Sequence, residues 1–366
     1  MGQQTRAWLI LAHAYVRIAE LKTLVARFGD VESVVARSQH DLTGAGLSDE
    51  KSAAIASPDD AKLGKALDWL QHESHHVIAY GRDNYPELLK QIPGQPLLLY
   101  VNGDVDSLHL PSLAIVGSRN PTHGGLRNSF EFARYLARHG FAIVSGLAEG
   151  IDTAAHRGAL DAGGRTVAIL GHGIDRVYPS ANRKLAHTIA HGGALVSEYP
   201  LGARPERWHF PERNRLISAL SLGTLVIEAA RQSGSLITAR LAAEQGREVF
   251  ALPGSVHNPL ARCCHALIRQ GAKLVETASD ITNELAPLTG HLLQNTMESA
   301  RSETSLAETD HEYDELRAIL SHDPITIDEL ESQSGLTIEQ LSSMLLILEL
   351  HGEVESLSGG RYALSG

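Results

Sequence analysis

Between residues 112 and 276 the chain alternates short apolar segments with longer amphipathic ones, and this alternation restricts the possible folds more than any other feature. The apolar segments are predicted strands at 113–117, 141–145, 166–170, 194–198, 224–229, 249–252 and 273–275. They are β-branched and apolar throughout, which is typical of strands that are covered by helices on both faces. The pattern therefore predicts an α/β fold with a doubly wound, mostly parallel sheet.

The segments on either side of this core have different patterns. Residues 1–70 carry apolar residues at helical spacing and predict a small helical domain of the SAM or helix-hairpin-helix type, and 71–110 predict two short strands that lead into the core at 111–286. Residues 287–311 lose periodicity and gain Ser, Thr and Glu, which indicates a linker. Residues 312–366 predict a winged helix, with helices followed by a Gly-Gly hairpin.

Composition indicates an ordinary globular protein of two or three domains, with 366 residues of which 43% are hydrophobic. We identify no signal peptide, and no stretch approaches the roughly 20 apolar residues that span a bilayer. Cys263 and Cys264 are adjacent and form no disulfide framework. We therefore expect a cytoplasmic protein that does not bind membranes.

The formal charge of −11 is distributed unevenly. Residues 111–280 carry an excess of basic residues, nearly all arginine, whereas both flanking regions are acidic. This predicts an anion-binding core between segments that avoid nucleic acid, with chance fluctuation and a solvated acidic tail as the alternative. The predicted recognition helix of the winged helix, 337–351, has no Lys or Arg, which favours a structural or protein-binding role over the reading of duplex DNA.

Small and polar residues follow strand after strand in the predicted core. Ligands of open parallel sheets bind beyond the carboxyl ends of the strands. The set comprises Gly117, Ser118 and Arg119 after the first core strand, Ser145 and Gly146 after the second, and Ser233, Gly234, Ser235 and Thr238 after the fifth. Each turn alone is ordinary turn chemistry, but together on one edge they indicate a binding surface.

Residues 210–254 combine an arginine-rich helix start, a buried strand and a Gly/Ser turn that opens a helix, where N–H groups and the helix dipole bind phosphate. Arg213 and Arg215 lie two positions apart and face differently. We expect one to meet an anion and the other to pair with Glu198 or Glu228, although a structural salt bridge explains either arginine equally well. No catalytic base lies beside them, so the segment predicts a polyanion holder.

Several enzyme classes lack their signatures in this chain. No strand leads into GxGxxG, and neither a Walker A sequence nor a GxSxG nucleophile elbow is present. His72, His75 and His76 cluster beside Glu73 in a polar stretch, which is a weak metal signal. We therefore expect no catalytic residues, no metal and no cofactor.

The core motifs resemble, in order, those of the DprA/Smf family of bacterial DNA-processing proteins. They include YPELLKQI (85–92), AIVGSR (114–119), SGLAEGIDTAAHRGAL (145–160), SEYPLG (197–202), FPERNRLISALS (210–221) and VIEAARQSGSLITARLAAEQGREVFALPGS (226–255). The resemblance covers about 80–285 strongly and the two flanking domains more loosely. One departure is Cys263 in RCCHALI, where the family usually has glycine.

The resemblance implies a Rossmann-like core that binds and protects single-stranded DNA, forms homodimers and delivers DNA to the RecA recombinase during natural transformation, without enzymatic activity. It carries DNA contact onto Arg119, Arg213, Arg215, Ser233, Gly234 and Ser235, and onto Arg183 or Lys184. The expected surface also includes Gly117, Ser118, Ser145, Gly146, Phe210, Asn214 and Thr238. Bases stacked on Tyr178, Trp208 or Phe210 would contribute roughly 1–3 kcal/mol each.

Two other functions stay open at this point. A nucleotide phosphoribohydrolase on a related scaffold would use a PGGxGTxxE motif, but the matching turn here reads Ser-Gly-Ser-Leu-Ile-Thr and lacks the downstream glutamate. A duplex-DNA regulator would act through the winged helix, which its acidic recognition helix disfavours.

Overall fold

The computed structural model describes residues 2–230 and 233–289, together with short stretches between 316 and 364. The chain divides into two compact units, Met1–Leu293 and Gln294–Gly366. Within the described residues, no helix is both long and apolar enough to cross a membrane.

The first unit begins with six short helices around a leucine-rich core. They are α1 Gln3–His13, α2 Ile18–Phe28, α3 Val31–Val35, α4 Gln39–Gly44, α5 Asp49–Ala56 and α6 Asp60–Trp69. Asp30, Ser38, Ser48 and Asp59 each accept a hydrogen bond from a backbone N–H in the first turn of the helix that follows. Such N-caps satisfy donors that have no partner inside the helix, and they fix where each short helix starts.

A nine-stranded sheet forms the centre of the first unit. Its strands are β1 His75–Ala79, β2 Leu98–Gly103, β3 Ser112–Gly117, β4 Ala142–Ser145, β5 Thr166–Leu170, β6 Gly193–Ser197, β7 Gly223–Ile227, β8 Glu248–Ala251 and β9 Lys273–Leu274. The order is β1-β2-β6-β5-β4-β3-β7-β8-β9. β2 pairs antiparallel with both β1 and β6, and all other pairs are parallel. The predicted α/β fold with a mostly parallel sheet is confirmed, and the two lead-in strands are its antiparallel edge.

Helices cover both faces of the sheet. They are α7 His123–Arg138, α8 Ile151–Asp161, α9 Arg183–Gly192, α10 His209–Ala219, α11 Gly234–Glu244, α12 Arg262–Arg269 and α13 Ala278–Thr289. One apolar cluster joins side chains of α7, α8 and α13 to residues such as Ile115 and Ile143. Another joins α10, α11 and α12 to alternate strand residues such as Val116 and Val144. This double burial explains why the strands are apolar throughout.

The strand order places a topological switch point at β3. The chain passes from β3 through α7 to β4 on one side, whereas β7 lies on the other side of β3, in register from Leu113 opposite Gly223 to Gly117 opposite Ile227. The connections on the two sides diverge and leave a crevice beyond the carboxyl ends of these strands.

The second unit contains a three-stranded antiparallel sheet of order β10-β12-β11. Its described elements are β10 Ile325–Thr326, α14 Ile327–Ser334, β11 Val354–Leu357 and β12 Arg361–Leu364. Leu316, Leu330, Leu341 and Leu345 form part of its buried core. The predicted linker lies outside the described residues from 290 onward, and so does most of the predicted recognition helix. α13 extends three residues into that predicted linker, as far as Thr289, which is buried.

Candidate nucleic-acid interface

A cleft of about 680 Å³ opens at the switch point of the sheet. The ends of β3 and β4, the first two turns of α10 and the start of α11 contribute its walls. Ten of the predicted site residues line it: Gly117, Ser118, Arg119, Phe210, Arg213, Asn214, Ser233, Gly234, Ser235 and Thr238. The fold therefore brings together two sequence motifs that are about a hundred residues apart.

The end of β3 is tied directly to the start of α11. A Cβ on Gly117 would lie 2.0 Å from the carbonyl oxygen of Ile227, so only glycine allows β3 and β7 to approach this closely. The Ser235 hydroxyl donates to the carbonyl oxygen of Gly117 at 2.8 Å. These contacts fix the helix start against the sheet edge.

The amino terminus of α11 faces the cleft. Ser233 is its N-cap, and the Ser233 hydroxyl accepts a hydrogen bond from the Ser235 N–H at 3.2 Å. The side-chain amide of Asn214 donates to the carbonyl oxygen of Gly234 at 3.2 Å and joins α10 to this turn. The helix runs for 11 residues, so its dipole presents partial positive charge to the cleft.

Arg213 forms the floor of the cleft and is only 4% exposed. Its Nη1 donates to the carbonyl oxygen of Gly146 at 2.8 Å and also to that of Ile169. A Cβ on Gly146 would lie 2.5 Å from Nη1, so the guanidinium needs a glycine there. Burial lowers the pKa of Arg213 to about 10, which leaves it protonated at neutral pH. Within residues 2–230 and 233–289, its buried Nε has no hydrogen-bond partner.

Phe210 lies between two guanidinium groups. The Cζ atoms of Arg119 and Arg213 are each 5.9 Å from the centre of its ring. The Tyr178 ring centre is 5.7 Å from that of Phe210, and the two aromatic residues flank a side pocket of about 70 Å³ that Gly146 also lines. Alongside burial, the charge of Arg119 lowers the pKa of Arg213, because two nearby cations repel each other.

Asp152 contributes the one carboxylate among the described residues that line the main cleft. Its Oδ2 accepts from the N–H groups of Gly146 at 3.0 Å and Ala148 at 3.3 Å. Burial raises the pKa of Asp152, while the charge of Arg213 and these two hydrogen bonds oppose the rise. The carboxylate therefore holds the turn after β4 and offsets part of the charge of Arg213, and both of its hydrogen bonds are used structurally.

Arg215 faces away from the cleft and pairs with Glu198, whose side chain is only 15% exposed. Glu228, the other expected partner, instead accepts hydrogen bonds from the Thr122 N–H and hydroxyl at 2.7 and 2.6 Å. The ion pair expected for one of the two arginines is therefore that of Arg215 with Glu198. Arg213 lines the cleft, whereas Arg215, onto which the resemblance also carries DNA contact, lies outside the cleft lining.

Four further predicted residues do not line the cleft. Ser145 is fully buried behind its wall, where its hydroxyl donates to the carbonyl oxygen of Ile115 at 2.7 Å. Arg183 and Lys184 are exposed at the start of α9, outside the described cleft lining. Trp208 is exposed beside His209 and also lies outside that lining, whereas Tyr178 and Phe210 are both part of it.

Sequence reasoning missed several lining residues, of which Arg207, Asn120 and Asp152 are polar. Arg207 stands three positions before Phe210, and Asn120 directly follows Arg119. Their places beside recognised motifs were the available signal. Within the described part of the chain, neither Arg119 nor Arg207 has an ion-pair partner. The cleft therefore collects three arginines around one hydrogen-bonded carboxylate, an arrangement that favours a polyanionic ligand.

Two family models match the chain. The model of DNA recombination-mediator protein A matches residues 76–286, and the DprA winged helix domain matches residues 300–360. Protein Smf of Escherichia coli is 38% identical over 346 residues, which cover 94% of this chain and 90% of that protein.

Two solved structures are also similar. The X-ray structure of DNA processing protein A from Streptococcus pneumoniae superposes with a TM-score of 0.67 at 36% identity, covering 75% of this chain and 96% of that one. DNA processing protein A from Helicobacter pylori, described for its single-stranded DNA binding mode, superposes with a TM-score of 0.53 at 31% identity, covering 59% and 97%.

Proposed function

The chain belongs to the DNA recombination-mediator protein A family, and from this premise we propose that it binds single-stranded DNA in the cleft at the switch point of its sheet. The observation that carries the proposal is the pair of guanidinium groups of Arg119 and Arg213, each 5.9 Å from the Phe210 ring. A phosphodiester relieves the repulsion of the two cations, while a base can stack on the exposed ring of Tyr178 beside Phe210.

The phosphate path follows from the positions of the charges. The amino terminus of α11, with Ser233 and Gly234, offers backbone dipoles to one phosphate. Arg119 and Arg207 also line the cleft and are exposed, so they can follow neighbouring phosphates. Because backbone contacts carry no base pattern, we expect little preference for sequence.

We further propose that the protein does not cut or modify its ligand. A general base is most often a histidine, aspartate or glutamate within hydrogen-bond reach of the reacting group. Asp152 Oδ2 already accepts hydrogen bonds from two backbone N–H groups, and the described lining of the main cleft contains no histidine. The family and the relatives named above give the phosphoribohydrolase alternative no support.

The same family membership supports a wider role, in which a homodimer in the cytoplasm protects incoming single strands and passes them to RecA during transformation and recombination. An open cleft suits this role because a strand that is handed on must be released intact. Co-sedimentation with RecA on single-stranded DNA, and light scattering for the dimer, test these two partners.

The experiment that tests the DNA proposal is a titration of the full chain with single- and double-stranded oligonucleotides over a range of salt concentrations. We expect preference for the single strand and a log–log slope of about −0.7 for each phosphate neutralised. A slope near zero, or equal affinity for duplex, contradicts the proposal. Release of free base from nucleoside monophosphates in a parallel assay would instead support the enzyme alternative.

A further inference from the structure

A second groove, of about 570 Å³, lies between α7 and α8 and shares no lining residue with the cleft. Arg127 and Arg157 line it from the two helices, and so does the half-buried ring of Phe130, whose centre is 5.9 Å from the Arg134 guanidinium carbon. None of the described residues that line this groove is acidic.

The two groove arginines carry charge that the protein does not neutralise. Both are exposed, and in the described part of the chain neither has an ion-pair or hydrogen-bond partner. Arg134, about two turns beyond Arg127 on α7, shows the contrast, because it pairs with Glu131 at 2.7 Å. The unpaired cations are thus on the groove, where an external anion can reach both.

The groove and the cleft adjoin at a rim formed by two chain segments. Asn120 lines the cleft and His123, the first residue of α7, lines the groove, while in the first turn of α8 Asp152 lines the cleft and Thr153 lines the groove. The two depressions are therefore adjacent at both segments.

This rim is held rigidly. The Thr153 hydroxyl donates to the carbonyl oxygen of Ala148 at 2.7 Å and accepts from the Asn182 amide at 2.9 Å. At the other segment, Thr122 donates twice to the Glu228 carboxylate. Both segments of the rim are therefore held by hydrogen bonds within the protein.

We propose that the α7–α8 groove is a second phosphate-binding segment, which takes the part of the same single strand that extends beyond the cleft. This inference rests on the proposed function. Arg127 and Arg157 bind successive or alternate phosphates, and the Phe130 ring offers an apolar surface to a base between them. The groove thus lengthens the site and does not select the ligand, which is selected in the cleft.

The test compares the wild type with Arg127→Ala/Arg157→Ala on oligodeoxythymidines of about 4 to about 16 nucleotides, the range of site sizes in single-strand binding folds. The shortest strands fill only the cleft, so the variant should bind them as tightly as the wild type does. The longest strands should bind the variant about tenfold more weakly, with a log–log salt slope shallower by about 1.4 for two lost contacts.

Arg138→Ala is the matched control, because Arg138 is exposed in the last turn of α7 and outside both depressions. This control should bind every length like the wild type. The groove proposal is overturned if the double variant binds strands of every length as tightly as the wild type does. It is also overturned if the double variant loses the same affinity on short and long strands. Neither result contradicts binding in the cleft. Failure of the wild type to bind any strand removes the proposed function itself, and the groove proposal with it.

Discussion

The two arginines of the Arg-Asn-Arg triplet lie on opposite sides of α10 and show two ways of burying a guanidinium group. Arg213 is surrounded by carbonyl oxygens and has Asp152 nearby, so its charge is only partly compensated and faces the cleft. Arg215 is matched one to one by the carboxylate of Glu198. The first arrangement leaves attraction for an anion, whereas the second contributes to the fold alone. Helix spacing separates the two roles, since neighbours two positions apart cannot face the same side.

The largest effect should come from Arg213→Met, which keeps the side-chain length and removes the charge. We expect single-strand affinity to fall by at least about 100-fold, or about 2.7 kcal/mol. Fluorescence anisotropy with labelled oligonucleotide measures it, and circular dichroism confirms the fold. If the folded Arg213→Met variant bound single strands as tightly as the wild type, the proposed functional difference between the two arginines would be wrong.

Arg215→Met should affect stability instead. It leaves Glu198 without its cation, and burial already raises the pKa of this carboxyl, so the free energy of unfolding should fall by about 2 kcal/mol. Urea denaturation measures the loss, and the affinity for single strands should stay within about threefold.

The double variant Arg215→Met/Glu198→Leu is the control for this loss. Replacing a buried ion pair by apolar residues of similar volume is often neutral, so the double variant should recover most of the stability. A large drop in affinity with either variant would place Arg215 in the binding site.

The charge of Arg213 also acts through the protein on His156. This buried residue bonds Thr166 through Nδ1 at 2.7 Å, and burial together with Arg213 lowers the pKa of its imidazole to about 3. The unfolded chain binds a proton below its ordinary pKa of about 6.5 and the folded chain does not. The free energy of unfolding should therefore fall by about 1.4 kcal/mol for each pH unit between about 6.5 and about 3.

Denaturation with urea between pH 7 and pH 5 checks this dependence. In His156→Gln, whose side chain can still donate to Thr166, the free energy of unfolding should change less with pH than in the wild type. Arg213→Met should keep the wild-type slope between pH 7 and pH 5, because burial, the larger cause of the lowered pKa, still keeps the imidazole neutral there. A flattened slope in Arg215→Met, whose charge lies on the other side of α10, would contradict the separation of the two arginines.

The sequence predicted the parallel sheet well, because strands such as 113–117 and 141–145 are apolar on both faces and leave few other folds. It also predicted most of the cleft, since Gly117, Arg119 and Ser235 follow strands whose carboxyl ends meet. What it missed depends on tertiary packing. Neither the choice of Glu198 over Glu228 as the partner of Arg215 nor the burial of Ser145 has a local signal, because each partner comes from a distant element.

The smallest of these effects is expected for Arg119→Ala. Arg119 is exposed, so it adds a third case to the comparison of the buried Arg213 with the ion-paired Arg215. Its side chain has no ion-pair partner in the described residues, so stability should not change measurably. Affinity should fall about tenfold on all sequences alike, and the log–log salt slope should become shallower by about 0.7, as for one lost phosphate contact. Arg240→Ala is the control, because Arg240 is also exposed but pairs with Glu244 on α11. If both variants weakened binding equally, the cleft would act only through the overall charge of the basic core. A loss confined to Arg119 instead assigns the attraction to the place where two guanidinium groups meet at the Phe210 ring.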